Sequence, residues 1–187
     1  MFLTVMEIPA DVGVQRHLTS IHIDEWLRDD VFQLRWWLLL LLLASFLYLW
    51  WRFADKKRLP EIVLYAALTT IVVMAKVEYG EELVLWDYPT DIIPIFPPLT
   101  SLNLISLPLI YSLVYQHFST RKGFLWATAI ITAIICFILE PLMAWAKLYE
   151  LLHWKYYLNY PLYALTAIIV RAAVIKICGI TEKAGQH

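Results

Sequence analysis

Glycine is scarce in this chain: five residues in 187, scattered along its length. That excludes a glycine-rich loop cradling phosphate and a GxxxG face for close helix pairing. Cysteine is scarcer still. Cys136 and Cys178 are the only two, both in or beside apolar segments and without CxxC spacing. Neither a disulfide framework nor a thiolate metal site is expected. No histidine pair stands at i, i+3 or i, i+4, so no helix carries a ready metal site, and His22 and His153 are the one pair that folding could bring together. No Ser-His-Asp arrangement and no metalloprotease motif is present. Catalytic residues, metal ligands and cofactors are therefore all expected to be none. The opening MFLTVMEIPADV lacks a basic start followed by an apolar run, so no secretory signal is expected. Lipobox-like cysteines, prenylation motifs and internal repeats are likewise missing. With a net charge of -1, the chain offers no electrostatic case for a nucleic-acid partner.

What the chain has in excess is apolar residues. It is 61% hydrophobic with mean hydropathy +0.64, against about 45–50% apolar for a soluble domain. The excess lies in long runs, which mark membrane spans. The expected fold class is all-α: an integral membrane bundle of five transmembrane helices with an N-terminal interfacial amphipathic helix. Spans are expected at about residues 35–53, 60–78, 98–118, 123–145 and 159–178. The first is bracketed by Arg35 and Arg52 and by paired tryptophans, which favour the interface. Pro60 and Glu61 suit the first turn of the second.

Before the spans, residues 1–19 carry Pro9, Gly13 and scattered polar groups and are expected to be irregular. From Ser20 to Leu34, apolar residues recur at three- and four-residue steps between acidic ones. This reads as a helix on the membrane surface, capped by Ser20 or Asp24, with a continuous helix entering the membrane as the alternative. The division is then residues 1–34 as an extracytoplasmic segment, 35–178 as the membrane domain, and 179–187 as a cytoplasmic tail. Basic residues assign the sides. Arg52, Lys56, Lys57 and Arg58, then Arg121 and Lys122, then Lys176 and Lys183 alternate correctly and share one side, expected to be cytoplasmic. The N-terminus is placed outside the plasma membrane and the C-terminus inside. Arg171, on the inner half of the last span, is expected to reach a headgroup.

The stretch 76–98 is the unusual one. It holds Glu78, Glu81, Glu82, Asp87 and Asp91, with Trp86 and Tyr88, and is broken by Pro89, Pro94, Pro97 and Pro98. Around it, at a similar outer depth, each span after the first brings a polar residue: Lys76, Asn103, Glu140 and Asn159. A carboxylate at that depth must face the bundle and find a partner, and Lys76 is the best candidate. Pro141 removes a backbone donor beside Glu140, so the helix is expected to widen there. The candidate binding residues are Lys76, Glu78, Trp86, Asp87, Tyr88, Asn103 and Glu140, an outer polar pocket under an acidic loop. The alternative for each is plain solvation at a helix end.

WDYP at 86–89, NLISLPLIYSLVYQ at 103–116 and EP at 140–141 resemble an uncharacterised family of small multi-pass membrane proteins from Bacillus- and Clostridium-like bacteria. That resemblance implies a bacterial plasma membrane and carries no activity. Glu81-Glu82 and Glu140-Pro141 are loosely similar to motifs of small helical carotenoid cyclases, although the proline those enzymes place before paired acids has no counterpart here. Three functions follow as expectations. The first is a non-enzymatic membrane protein that binds a partner or lipid through its outer loop. The second is an oligomeric small-solute or ion transporter or channel. The third is a membrane enzyme on an isoprenoid or lipid, with Glu140 or the Glu81/Glu82 pair as general acid. Expected partners are the lipid bilayer, a membrane or extracytoplasmic protein, and a second copy of the chain, with no nucleic acid.

Overall fold

A computed structural model describes residues 9–90, 92–94 and 102–184. Four of its helices are long and apolar enough to cross a membrane: Leu34–Phe53, Lys56–Glu82, Arg121–Trp145 and Tyr156–Thr181. The molecule is mostly helical and has the composition of a membrane protein.

Helix α1, Ala10–Glu25, runs on into a π turn, Trp26–Asp30. The irregular start and the Ser20 or Asp24 cap expected from sequence are both corrected here, because Pro9 occupies the N-cap position and Ala10 begins the helix. Pro9 stands outside the hydrogen-bonded turns, where its missing donor costs nothing. Gly13 costs only about 1 kcal/mol inside a helix. The chain then breaks at Val31–Gln33, where Phe32 takes a positive φ of 64°. The helix is thus not continuous with α2. Most of α1 is exposed, and the stretch Ser20–Leu34 expected to form one surface helix is divided among the end of α1, the π turn and the break at Val31–Gln33.

Helix α2, Leu34–Phe53, is apolar all round and buries only Leu39 fully. Such a helix needs an apolar surrounding on nearly every side. A 3-10 turn at Lys56–Arg58, capped by Asp55, leads into α3, Leu59–Glu82, with Pro60 in its first turn. Helix α4 is shorter, Leu102–His117. The start of the third expected span, residues 98–101, and the loop positions Asp91, Pro97 and Pro98 lie outside the described residues. Thr120 caps α5, Arg121–Ile134, by accepting from the Gly123 N–H. A π turn, Ile135–Leu139, passes directly into α6, Glu140–Trp145, and α7 runs Tyr156–Ala184. The widening expected beside Pro141 takes the form of this π turn.

Four helices close a ring. α3 packs on α4 and α7, while α5 packs on the same two. α2 lies outside the ring against α4, where the Trp50 indole donates to Ser112 Oγ at 2.8 Å. Gln116 fastens the same seam, bonding the Asp55 N–H and the Phe53 carbonyl. The ring core is built from Tyr65, Leu107, Tyr111, Phe124, Ala167 and Val174, all essentially solvent-free.

The two ends of the ring differ in charge. At the basic end lie Lys56, Lys57, Arg58, Arg121 and Lys122, near the carboxy end of α4. Arg171 corrects the expectation of a headgroup contact. It turns inward, is 8% exposed, and donates to the carbonyls of Phe118, Ser119 and Thr120 just past α4. A helix ends with unpaired carbonyls, and a guanidinium with five donors satisfies three at once.

At the acidic end, α3 and α6 terminate alike. Leu85 N–H bonds Gly80 O and Val84 N–H bonds Glu81 O; Leu148 N–H bonds Met143 O and Lys147 N–H bonds Ala144 O. Val84 and Lys147 supply the left-handed residue, at φ 53° and 58°. These are Schellman endings without glycine, and a β-branched valine is unusual there. Each turn releases a two-residue strand. β1, Trp86–Asp87, pairs antiparallel with β2, Glu150–Leu151. The connection between α6 and α7 is stitched to the acidic loop: Leu152 and His153 N–H both bond Leu85 O, and His153 Nδ1 meets Val84 O.

Candidate functional site

Under that paired cap sits a buried polar network drawn from three helices. Glu140, at the first position of α6, is fully buried. Both of its oxygens accept from Asn159 Nδ2, at 3.0 and 2.9 Å, and Oε1 also accepts from the Tyr163 hydroxyl at 2.8 Å. Lys76 Nζ, from α3, donates to Asn159 Oδ1 and to the Tyr163 oxygen, both at 2.9 Å. Asn159 and Tyr163 lie one turn apart on α7 and so share a face. Lys76 and Glu140 are therefore joined through two neutral side chains, and among the described residues no direct ion pair links them. An amide and a phenol can each accept from the cation and donate to the anion, which lets both charges stay hydrogen-bonded away from water.

Aromatic rings roof the network. Lys76 Nζ lies 4.1 Å from the Tyr163 ring centre and 4.6 Å from that of Trp86. Trp86 meets Trp154 edge-on at 5.7 Å, and the Trp154 indole donates to Asn159 Oδ1 at 3.0 Å. Tyr88 packs on Tyr149 at 5.3 Å. Burial in this roof holds the Tyr149 phenol above its ordinary range. Trp86 is seated directly on Gly80: a Cβ there would lie 1.8 Å from the indole Cζ2. The Trp86 Nε1 is buried with no hydrogen-bond partner among the described residues.

Of the residues expected from sequence, Lys76, Trp86 and Glu140 converge, and Tyr88 roofs them. Asp87 does not join; the strand alternation turns it outward, and it is exposed. Glu78 also stands off, since two residues along a helix is about 200° of rotation from Lys76; its electrostatic neighbour is Glu82. Asn103 falls in the first turn of α4, and its side chain lies outside the described residues. Glu81 and Glu82 end α3 and take no part in the bonds to Glu140. Tyr163 was not singled out from sequence. Its signal is the four-residue step from Asn159 in a segment that otherwise reads as lipid-facing. Among the described residues no group of three or more His, Cys, Asp or Glu is placed to hold a metal ion.

No family model matches the chain, and no curated protein or solved structure is significantly similar to it.

Proposed function

We propose that this is a non-enzymatic multi-pass protein of the plasma membrane, which binds a membrane partner, lipid or protein, through its acidic end. In this reading α4 is the fifth span. The N-terminus faces outward and the C-terminus the cytoplasm, because Arg52, Lys56, Lys57, Arg58, Arg121 and Lys122 gather at one end. The family resemblance of the WDYP, 103–116 and EP segments agrees with a bacterial plasma membrane.

One observation carries the proposal: a partly buried lysine and a fully buried carboxylate are joined beneath a cap that two loops build jointly. Ionisable groups inside a membrane domain are costly and mark functional positions. The cap presents exposed Asp87 and Glu150 side by side over buried Trp86 and Tyr149, so its outer surface is acidic and its foundation rigid. A cap supported this way positions a contact surface.

The test is an inventory of lipids, small molecules and proteins that copurify with the gently extracted protein, made beside Glu140→Gln and Asp87→Ala. The expected result is a molecule or protein retained by the wild type and lost from one variant while the helical fold persists. A wild-type protein that carries nothing, with variants equally stable, would sink the reading.

A further inference from the structure

We propose that the interior of the helix ring is a proton path, loaded at the acidic end through Lys76, Tyr163 and Glu140 and discharged at the basic end through Tyr115 and Glu61. The proposal needs the membrane location but not the partner binding described above.

The entrance is a wire of two donor-to-acceptor steps. Lys76 is only partly buried, so it can exchange protons with water at the acidic end. Its Nζ donates to the Tyr163 oxygen at 2.9 Å, and the Tyr163 hydroxyl donates onward to Glu140 at 2.8 Å. A proton moves when the Lys76 N–H bond breaks as a Tyr163 O–H forms, while Tyr163's original O–H breaks as the Glu140 O–H forms. The charged pair becomes a neutral pair, nothing is oxidised or reduced, and the heavy atoms keep their places. Lys76 then recovers a proton from water. The other titratable groups within electrostatic reach of Glu140 are Cys136, Tyr111, Tyr149 and Tyr156. A thiol and phenols are ordinarily neutral at pH 7, so among the described residues Lys76 is the charge that faces it.

Below Glu140 one stripe of α5 and the π turn carries a hydroxyl or thiol at each turn within an otherwise apolar core. Thr128, Thr132, Cys136 and Glu140 follow one another at four-residue steps, and each is at most 1% exposed. Tyr111 of α4 shares a hydrogen bond of 2.7 Å with Thr132, and Tyr65 of α3 is fully buried, bonded to Ala167 O. Tyr65 stacks on Tyr115 at 4.7 Å, and Tyr115 donates to Glu61 beside Arg58. Polar groups thus extend from one end of the ring to the other.

Thr128 marks where water enters this series. Other helical threonines of the chain return their hydroxyl to their own helix: Thr69 to Tyr65 O, Thr70 to Ala66 O, Thr166 to Leu162 O. Thr128 does not, and among the described residues its buried oxygen has no hydrogen-bond partner. A buried hydroxyl in that state calls for a water. Rungs one turn apart are separated by roughly 6 Å, too far for direct bonding, so waters between hydroxyls complete the relay. Protons suit such a path, because a hydroxyl or a water can accept one hydrogen bond while donating another.

The experiment reconstitutes the full chain in phosphatidylethanolamine–phosphatidylglycerol vesicles containing a pH-sensitive dye. A valinomycin-set potassium potential then drives proton entry. The wild type is expected to acidify the lumen several-fold faster than protein-free vesicles do. Glu140→Gln and Tyr163→Phe should fall to the protein-free rate. Thr128→Val and Thr132→Val should be slowed several-fold, and Thr70→Val should match the wild type. Size-exclusion profiles accompany each variant. If Glu140→Gln does not fold, Tyr163→Phe and Thr132→Val decide, since each deletes one hydroxyl and keeps the side chain's shape. Wild-type rates equal to those of protein-free vesicles would overturn the proposal. Wild-type rates in both Tyr163→Phe and Thr132→Val would overturn it equally.

Discussion

Each end of the helix ring holds a cation, a tyrosine and a carboxylate, and the two sets are wired differently. At the basic end Arg58 grips Glu61 directly, Nε to Oε2 at 2.9 Å and Nη2 to Oε1 at 3.1 Å, and Tyr115 adds a bond from α4. The ion pair is local, three residues apart on one chain segment, and half-exposed. At the acidic end Lys76 and Glu140 come from different helices, and a third supplies the Asn159 and Tyr163 that join them. The ion pair of the first set exists wherever α3 begins, whether or not α4 has brought Tyr115 to it. The second exists only when α3, α6 and α7 have met. Burial sharpens the contrast: a half-exposed pair contributes about 0–1 kcal/mol, whereas breaking a buried one costs several times that.

The largest test of this contrast removes the two carboxylates in turn. Glu140→Ala leaves Asn159 and Tyr163 without their common acceptor and Lys76 without its counter-charge, and should destabilise the protein by about 3–5 kcal/mol. Glu61→Ala should cost under about 1 kcal/mol. Unfolding midpoints in one detergent give both numbers, and equal losses would refute the distinction. Next in size is Gly80→Ala. The new Cβ collides with the Trp86 ring rather than with a flexible chain end, so overpacking of about 1–3 kcal/mol is expected. Its signature is a change in tryptophan fluorescence, since Trp86 must leave its seat; an unaltered spectrum would mean the seat is not as tight as described. The smallest test compares two phenols. Tyr163→Phe should cost about 1.5–3 kcal/mol, as its hydroxyl serves two buried charges. Tyr115→Phe should cost about 1 kcal/mol or less because Glu61 keeps its arginine. Reversal of that order would show that the basic end, not the acidic one, holds the ring together.

The helices were legible in the sequence because their apolar runs are long and their ends carry prolines, tryptophans and charge. Lys76, Trp86 and Glu140 were legible too: a charge or an indole at that depth has few places to go. Tyr163 was not, since one phenol among eleven tyrosines in an apolar chain looks like filler until its neighbours across the ring are known. Arg171 misled for a related reason. A long side chain can point either way along a helix, and only the loop at 118–120 decides for it. Gly80 was passed over because its role is the absence of a side chain opposite an indole six residues later, a contact that no local pattern encodes. The N-terminal helix was missed because Pro9 and Gly13 were weighed as breakers, although neither occupies a position that breaks it.

The π turn at Ile135–Leu139 has a consequence for phase. Along an ideal α-helix a residue advances about 100°, so eight residues beyond Thr132 the side chain would lie roughly 80° around the cylinder. Glu140 would then face the flank of the ring, toward lipid, with no amide or phenol in reach. A π turn absorbs one extra residue, returning the following segment by about one residue's rotation. The carboxylate's inward aim is therefore a matter of counting: Glu140 faces Asn159 because the helix before it is one residue too long. A single insertion within 135–139 would leave composition, hydropathy and span length nearly untouched, yet it would turn the most costly side chain of the chain out of its network, whereas a single deletion there would restore a regular α-helix with Glu140 still facing inward.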